Sequence, residues 1–475
     1  MQYADDDVTL PETTERAGRR AGAAQRLRGR WSSVVWWWGC VFVGIMFAAG
    51  AAQVGAAGVA SPEEQAQRIL KATGVRGGLV VHLGCGDGKL TAAFGASRGY
   101  LVHGLAWQAA EVERARRHIR ALGRYGRVSV ELQRGDRLPY VDNLVNLVVA
   151  ERLGEVPPEE VMRVLAPGGV AYVRRGEEWT KSSKPWPESI DQWTHFMHGP
   201  DNNAVAGDEE VGPPRHIQWV GPPPRARQHE NLASISAVVS AGGRLFSIQD
   251  EGPIASVVLP PRWYLVARDA FNGVILWKRR LRSWENHQRP FRMGPPDLAR
   301  RLVAVEDRVY VTLGYGEAVS ALDAATGHIL TTYKGTEGAR EIICDGGVLY
   351  VVQASGEKPT TATLRGDHTP ANRIVVIEAD TGRVVWQKAD ADTAAILPVT
   401  LAVSRGRVLF QNPEAICCLD GATGQVLWRA GRVASLKRPG FSAPTLVVYG
   451  DVVLSADRAT PQEVAREPER VHKTP

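Results

Sequence analysis

Four segments of this chain repeat one short pattern: ARDAFNGVILW (267–277), ALDAATGHILT (321–331), VIEADTGRVVW (376–386) and CLDGATGQVLW (418–428). Their glycines, Gly273, Gly327, Gly382 and Gly424, are 54, 55 and 42 residues apart. Each copy reads as strand, tight turn, strand, because Asn or Thr before Gly suits a hairpin that needs φ > 0. Between the copies lie further short strands, RLFSIQD, RVYVTL, VLYVVQ, RVLFQN and DVVLSAD. Four short strands in each unit of this length predict the blades of a β-propeller over residues 231–457.

A different pattern precedes the repeats. Ser61-Pro62-Glu63-Glu64 reads as an N-cap with Pro at N1 and acids in the first turn of a helix. Short apolar strands at 79–83, 101–105, 128–133, 144–150 and 170–174 then alternate with helices starting near Lys89 and covering 109–122 and 158–165. That alternation predicts a parallel sheet covered on both faces, an α/β unit over 61–178. Tryptophan occurs once between 61 and 175 but nine times between 179 and 428, and helical periodicity ends there. Residues 179–230 are expected to be a linker and lead-in to the propeller.

The first strand of the α/β unit runs into Gly84-Cys85-Gly86-Asp87-Gly88. Glycines there let the backbone turn sharply and let a ligand approach the following helix. The GxGxxG dinucleotide spacing is not met; the GxGxG spacing resembles the S-adenosylmethionine (SAM) loop of class I methyltransferases. GDRLPY (135–140) before VDNLVNLVV, and EEVMRVLAPGGVAYV (159–173), resemble two further stretches of that family (type 11-like) in the expected order. The resemblance implies a Rossmann-like fold with SAM as cofactor. It places Gly84, Cys85 and Gly86 along the methionine and ribose, Ala106 and Trp107 at the ribose position, and Asp136 and Arg137 by the adenine. Glu151, just past the fourth strand, is the candidate general base. The sequence departs from the family twice: Ala106-Trp107 stand where an acid normally binds the ribose hydroxyls, and Asn146 stands where it has an aspartate. No strand that would complete the family's sheet is expected after 174, where the chain runs into GEEWTKSSKPWP.

The repeats resemble the tryptophan-docking motif of pyrroloquinoline quinone (PQQ)-type propellers, a family of quinoprotein alcohol dehydrogenases and non-enzymatic outer-membrane assembly proteins. Trp277, Trp386 and Trp428 fill the docking position and Thr331 does not. Cys417 and Cys418 are adjacent but fall inside a strand, where alternation points their thiols to opposite faces. With no set of calcium-binding carboxylates in view, this speaks against PQQ. His195 and His198 in WTHFMHG have ligand-like spacing without an acidic partner at a fixed offset, so they read as surface or linker residues and no metal site is expected. Four copies and the opening of a fifth do not close a ring of eight. The chain therefore reads as a truncated form of a longer protein, with a polar tail over 458–475.

Residues 1–33 are polar and basic, with Arg16, Arg19, Arg20, Arg26, Arg28 and Arg30 ahead of a 19-residue uncharged run, Val34 to Ala52. Nineteen residues of helix span roughly 28 Å, one hydrocarbon thickness. Residues 34–60 thus read as a transmembrane anchor or signal segment, and the arginines place 1–33 in the cytoplasm with the folded units outside it, on the periplasmic side. Composition is otherwise ordinary, with 44% hydrophobic and 23% charged residues. Net charge is +6, yet no basic run exceeds three residues, so no nucleic-acid surface is expected. Five cysteines without CxxC exclude a disulfide scaffold, a zinc ribbon and attached c-type haem.

The expectation is a membrane-anchored protein whose SAM-dependent methyltransferase-type domain is coupled to a propeller that recruits a substrate or an envelope partner. A non-catalytic envelope scaffold with a degenerate methyltransferase fold is the alternative. A quinoprotein oxidoreductase is the weakest reading.

Overall fold

The computed structural model describes residues 60–210, 217–223, 235–255, 259–282, 284, 298–354, 371–435 and 443–457. The basic segment, the apolar run Val34–Ala52 and the tail 458–475 lie outside them. Among the described residues no helix is long and apolar enough to cross a membrane.

Ser61 opens α1 (Pro62–Thr73) with a capping box: its Oγ accepts from Glu64 N at 3.2 Å, and Glu64 Oε2 accepts from Ser61 N at 3.0 Å. The chain continues through β1 (Gly78–Leu83), α2 (Lys89–Phe94), β2 (Tyr100–Ala106), α3 (Ala109–Ala121), β3 (Val128–Leu132), β4 (Val145–Ala150), α4 (Pro158–Val164), β5 (Leu165–Arg175) and β6 (Glu178–Ser183). These strands form one sheet in the order β3-β2-β1-β4-β5-β6. The first five are parallel, and β1 is buried at all six positions, as a central strand covered on both faces must be.

Two details differ from the sequence reading. β5 runs through the expected turn at 166–169, the extra residues being absorbed by a register shift opposite Val145–Leu147. The segment GEEWTKSS is a strand: β6 folds back antiparallel on β5, so the sheet extends past residue 178. Its sequence lacks apolar alternation, and it is held by the hairpin ladder and by Trp179 stacking on Tyr172, centroids 4.9 Å apart.

The second half is a propeller arc. Four blades each have four antiparallel strands: β7 (Ile235–Ala241), β8 (Arg244–Asp250), β9 (Trp263–Asp269) and β10 (Ile275–Arg280); β11 (Leu302–Val305), β12 (Arg308–Thr312), β13 (Val319–Asp323) and β14 (Ile329–Thr332); β15 (Ala339–Asp345), β16 (Val348–Gln353), β17 (Arg373–Glu378) and β18 (Val384–Lys388); β19 (Ala402–Ser404), β20 (Arg407–Gln411), β21 (Ala415–Asp420) and β22 (Val426–Gly431). A fifth contributes β23 (Thr445–Tyr449) and β24 (Val452–Ala456). The first strand of each blade is innermost and touches its counterpart in the next blade.

One aromatic side chain covers each of the four repeat turns. Trp277 Nε1 donates to Ala324 O at 2.9 Å and Trp386 Nε1 to Gly421 O at 2.8 Å. Their rings lie where a Cβ on Gly327 or Gly424 would stand. Two members of this set are absent from the sequence reading. Tyr333, two residues beyond Thr331, donates its hydroxyl to Ala379 O at 2.6 Å, and Trp219 donates to Ala270 O at 3.0 Å while covering Gly273. Cys417 packs between the third and fourth blades and Cys418 between the fourth and fifth, on opposite faces of β21, and both thiols are free.

The expected linker also behaves differently. His195 and Asn202 are buried among the blades, 2% and 1% exposed. His195 is therefore not a surface residue. Its Nε2 accepts from Cys344 N at 3.1 Å, which fixes the proton on Nδ1, and Nδ1 meets Thr194 Oγ1 at 2.7 Å. His198 instead pairs with Asp191 at 2.7 Å, so the two imidazoles serve separate partners.

The propeller meets the α/β sheet at the amino ends of its strands. Asn146 Nδ2, on β4, donates to Asp269 Oδ2 at 2.6 Å, and Arg76 pairs with Asp323 at 3.1 Å. Leu276 of β10 packs against Gly77 and Gly99, where a side chain would collide with it. A cavity of about 280 Å³ on this edge is lined by Arg76, Asn146, Trp186, Arg244 and Phe271, among others.

Candidate functional site

Sheet order reverses at β1, which pairs with β2 on one side and β4 on the other. In open α/β sheets a ligand binds outside the carboxyl ends of the strands at such a point. The candidate site is therefore the crevice above Leu83 and Ala150, bounded by the loops after β1, β2, β3 and β4.

The loop after β1 is built as its glycines predict. Gly84, Gly86 and Gly88 have φ of 76°, 54° and 78°. The N–H groups of Gly84 and Cys85 both donate to Leu105 O, at 2.7 and 3.1 Å, which ties the loop to β2. A Cβ on Gly86 would meet open space, whereas one on Gly88 would strike Ala115 of α3. Cys85 lines the loop through its backbone only. Its side chain is buried under Gly104, and burial, reinforced by the charge of Glu111, pushes its thiol up to about 12. A thiol so raised stays protonated and inert at neutral pH.

Beneath the loop, His82 Nδ1 lies 2.8 Å from Thr91 Oγ1, and burial lowers this imidazole to about 4. It is a neutral core residue that braces α2 against β1.

At the end of β2, Ala106 is fully buried and offers only backbone: its carbonyl accepts from Gln133 N at 2.8 Å. The nearest carboxylate in the chain, Glu111, is engaged otherwise. Its Oε2 accepts from Trp107 N and Gln108 N, both at 3.2 Å, and caps α3. The Q-x-x-E spacing from Gln108 to Glu111 is the sequence signal for this cap.

Trp107 crosses the crevice. A Cβ on Gly84 would lie 2.8 Å from its Nε1, and one on Gly154 would lie 2.6 Å from the far edge of its six-membered ring. The indole therefore bridges the loop after β1 and the loop after β4, over the switch point. Its Nε1 is buried without a hydrogen-bond partner. Gly154, at φ 62°, is the residue that makes room for the ring.

Asp136 and Arg137 are exposed on the loop after β3. That loop is shaped by Gln133, whose Nε2 donates to Arg137 O at 2.9 Å and Gly135 O at 3.1 Å. A buried glutamine at a strand end gives no sequence signal for this task. Glu151 is exposed just past β4. The structure thus brings Gly84, Trp107 and Gly154 together, leaves Asp136, Arg137 and Glu151 at the rim, and turns the Cys85 side chain away.

Two features of this crevice depart from what the resemblance to SAM-dependent methyltransferases implies. The indole occupies the space over β1, and no carboxylate stands at residue 106 to accept from ribose hydroxyls, bonds worth about 1.5–3 kcal/mol each when charge-assisted.

Comparison with known proteins agrees with the two-part architecture. A family model for methyltransferase domains matches residues 80–169. A second, described as outer membrane protein assembly factor BamB, matches 223–365 and 360–460, about half of the chain. The chain belongs to this propeller family. It carries a methyltransferase domain ahead of the propeller.

A quinohemoprotein alcohol dehydrogenase, ADH IIB of Pseudomonas putida, is 29% identical over 133 residues, covering 26% of this chain and 18% of the dehydrogenase. Among solved structures, BamB from Moraxella catarrhalis aligns over 45% of this chain and 51% of its own at 18% identity, TM-score 0.29. Geranyl diphosphate C-methyltransferase from Streptomyces coelicolor aligns over 23% and 43% at 23% identity, TM-score 0.22. The chain spans less than two thirds of each of these relatives.

Proposed function

We propose that this protein is a non-catalytic envelope scaffold, in which the methyltransferase domain is a rigid platform and the propeller is the surface that holds a partner protein. One observation carries the reading: the Trp107 indole lies between Gly84 and Gly154, where a SAM-type ligand would have to sit. Ala106 in place of an acid supports it. So does the placement of the propeller contacts. Asn146–Asp269 and Arg76–Asp323 lie at the amino edge of the sheet, a strand length of roughly 20 Å from the crevice. A substrate held by the blades would be presented to the wrong edge.

Anchoring through Val34–Ala52, with the folded units on the periplasmic side, belongs to this proposal and rests on the arginines that precede the run. Cytoplasmic SAM would then be on the other side of the membrane.

A second reading is favoured by the unpartnered Trp107 Nε1, because a buried donor left unmade costs about 1–3 kcal/mol and the ring gains by leaving. In that reading Trp107 is a gate, the protein is a SAM-dependent methyltransferase, and Glu151 at the rim is its candidate base. Calorimetric titration of SAM into the full chain and into Trp107→Ala separates the two. The scaffold reading expects no saturable heat from the wild type up to millimolar SAM. Saturable binding near micromolar by the wild type would overturn it in favour of the gated enzyme.

A further inference from the structure

The inner strand of every propeller blade presents a row of backbone N–H and C=O groups to the central axis, and a buried group of this kind needs a partner. In this chain the partner is the segment that joins the two domains. Ser240 N donates to Trp193 O at 2.7 Å, Ala304 N to Thr194 O at 3.0 Å, and Cys344 N to His195 Nε2 at 3.1 Å. Val403 N donates to Pro200 O at 2.8 Å, and Val448 N to Asp201 O at 2.9 Å.

These five donors belong to five different blades and hold one equivalent place. Each is the penultimate residue of its inner strand: β7, β11, β15, β19 and β23. The acceptors 193, 194, 195, 200 and 201 follow the same order along the chain as the blades they serve. The segment therefore winds with the arc and accepts one such backbone donation from each blade.

Its far end is locked by side chains. Asn202 Nδ2 donates to Leu401 O and to Leu446 O, both at 2.8 Å, and its Oδ1 accepts from Arg300 Nη1 at 2.5 Å. Arg300 pairs in turn with Glu341 at 2.9 Å, and both are almost wholly buried. Glu341 Oε1 accepts from Val399 N at 2.6 Å. This network joins the 3₁₀ turn ahead of β11, the strands β15 and β23, and the lead-in to β19, so blades two to five converge on one asparagine.

We infer that residues 193–202 are the hub of the propeller: they fix the blades as one cooperative arc and tie that arc to the methyltransferase sheet, whose last strand, β6, ends ten residues upstream. The described blades keep their relative positions through this hub and not only through pairwise docking of neighbours.

Hydrogen exchange by mass spectrometry on the full chain tests the inference, comparing the wild type with Asn202→Ala and with Trp386→Ala as the pairwise control. The hub expects Asn202→Ala to speed exchange about tenfold or more in all five inner strands, including β7 and β11, which Asn202 does not touch. Trp386→Ala should speed it only in the third and fourth blades. Acceleration confined to β19 and β23 in Asn202→Ala would overturn the inference. Should Asn202→Ala fail to accumulate folded, Thr194→Val carries the same test: it keeps every backbone contact and removes the hydroxyl that joins His195 Nδ1 to His198 O. Exchange must then rise in β15 and β11 together; a change in β11 alone would overturn the hub.

Discussion

Asn146 Nδ2 donates to the Asp269 carboxylate at 2.6 Å, and this bond joins the methyltransferase sheet to the first blade. The amide is used at both ends, because Asn146 Oδ1 accepts from Leu79 N and Asn272 Nδ2, each at 2.7 Å. Asp269 is 5% exposed, and burial holds its carboxyl above the usual range although Asn146 and the N–H groups of Asn272 and Phe271 oppose this. An aspartate at 146, as in the family resemblance, could still accept from Leu79 and Asn272 but would set two carboxylates against each other. Asparagine is thus what the interface requires.

Asn146→Asp should accordingly cost about 1–3 kcal/mol, the scale for a buried polar group that loses its partner. Thermal unfolding of Asn146→Asp, Asp269→Asn and the double variant checks this. The double variant should recover most of the loss, since it restores an amide–carboxylate pair with the roles exchanged. A loss that Asp269→Asn leaves untouched would show that the two side chains do not meet.

Gly154 leaves the room that Trp107 fills. Gly154→Ala places a Cβ 2.6 Å from the indole at a φ of 62°, so it combines overpacking with left-handed strain. Overpacking typically costs about 1–3 kcal/mol and the backbone term about 1–2 kcal/mol. In a Trp107→Ala background only the backbone term should remain. A double-mutant cycle by chemical denaturation measures the difference, and equal costs in both backgrounds would place the indole elsewhere.

Much of this architecture is legible in the sequence because it rests on local periodicity. The spacing of Gly273, Gly327, Gly382 and Gly424 announces the blades, and Ser61 with Glu64 announces α1. Alternation alone separates the Cys417 and Cys418 thiols. The features that escape it are non-local. β6 is a strand because β5 lies beside it, not because EWTKSS alternates. WTHFMHGPDN has no period, since its partners are blades up to 244 residues away. At the site, the glycine loop is legible and the crossing of Trp107 is not, because its side-chain direction depends on Gly154, 47 residues downstream on another loop.

The docking aromatics form a graded series. Trp386 donates to Gly421 O, covers Gly424 and is partly buried, so Trp386→Ala should cost less than the about 3–5 kcal/mol of removing a wholly buried ring but more than a lost hydrogen bond alone. Tyr333→Phe deletes only the bond to Ala379 O and should cost about 0.5–1.5 kcal/mol. Trp428, at 37% exposed, should be cheaper to replace by Ala than Trp386. Midpoints of urea unfolding rank the three, and a Trp428→Ala cost equal to that of Trp386→Ala would contradict the order.

Two buried histidines set how the protein responds to mild acid. Burial lowers His82 to about 4, and burial followed by the Arg300 charge lowers His195 to about 3. Both stay neutral in the folded protein, while the unfolded chain takes up protons below roughly pH 6.5. The unfolded state therefore binds more protons as pH falls from 6.5, and stability declines through that window towards pH 4 and 3. Each histidine contributes at most about 1.4 kcal/mol per pH unit. Between pH 6.5 and 5 most carboxylates stay ionised, so melting temperatures there report chiefly the histidines, opposed by any proton uptake at the raised carboxyls of Asp269 and Asp345. His195→Gln, whose amide oxygen can still accept from Cys344 N, should flatten the slope and leave the shares of His82 and of His103, whose imidazole burial also lowers. A wild-type melting temperature that is level from pH 6.5 to 5 would mean that both imidazoles reach solvent, against their burial beneath the glycine loop and at the propeller axis.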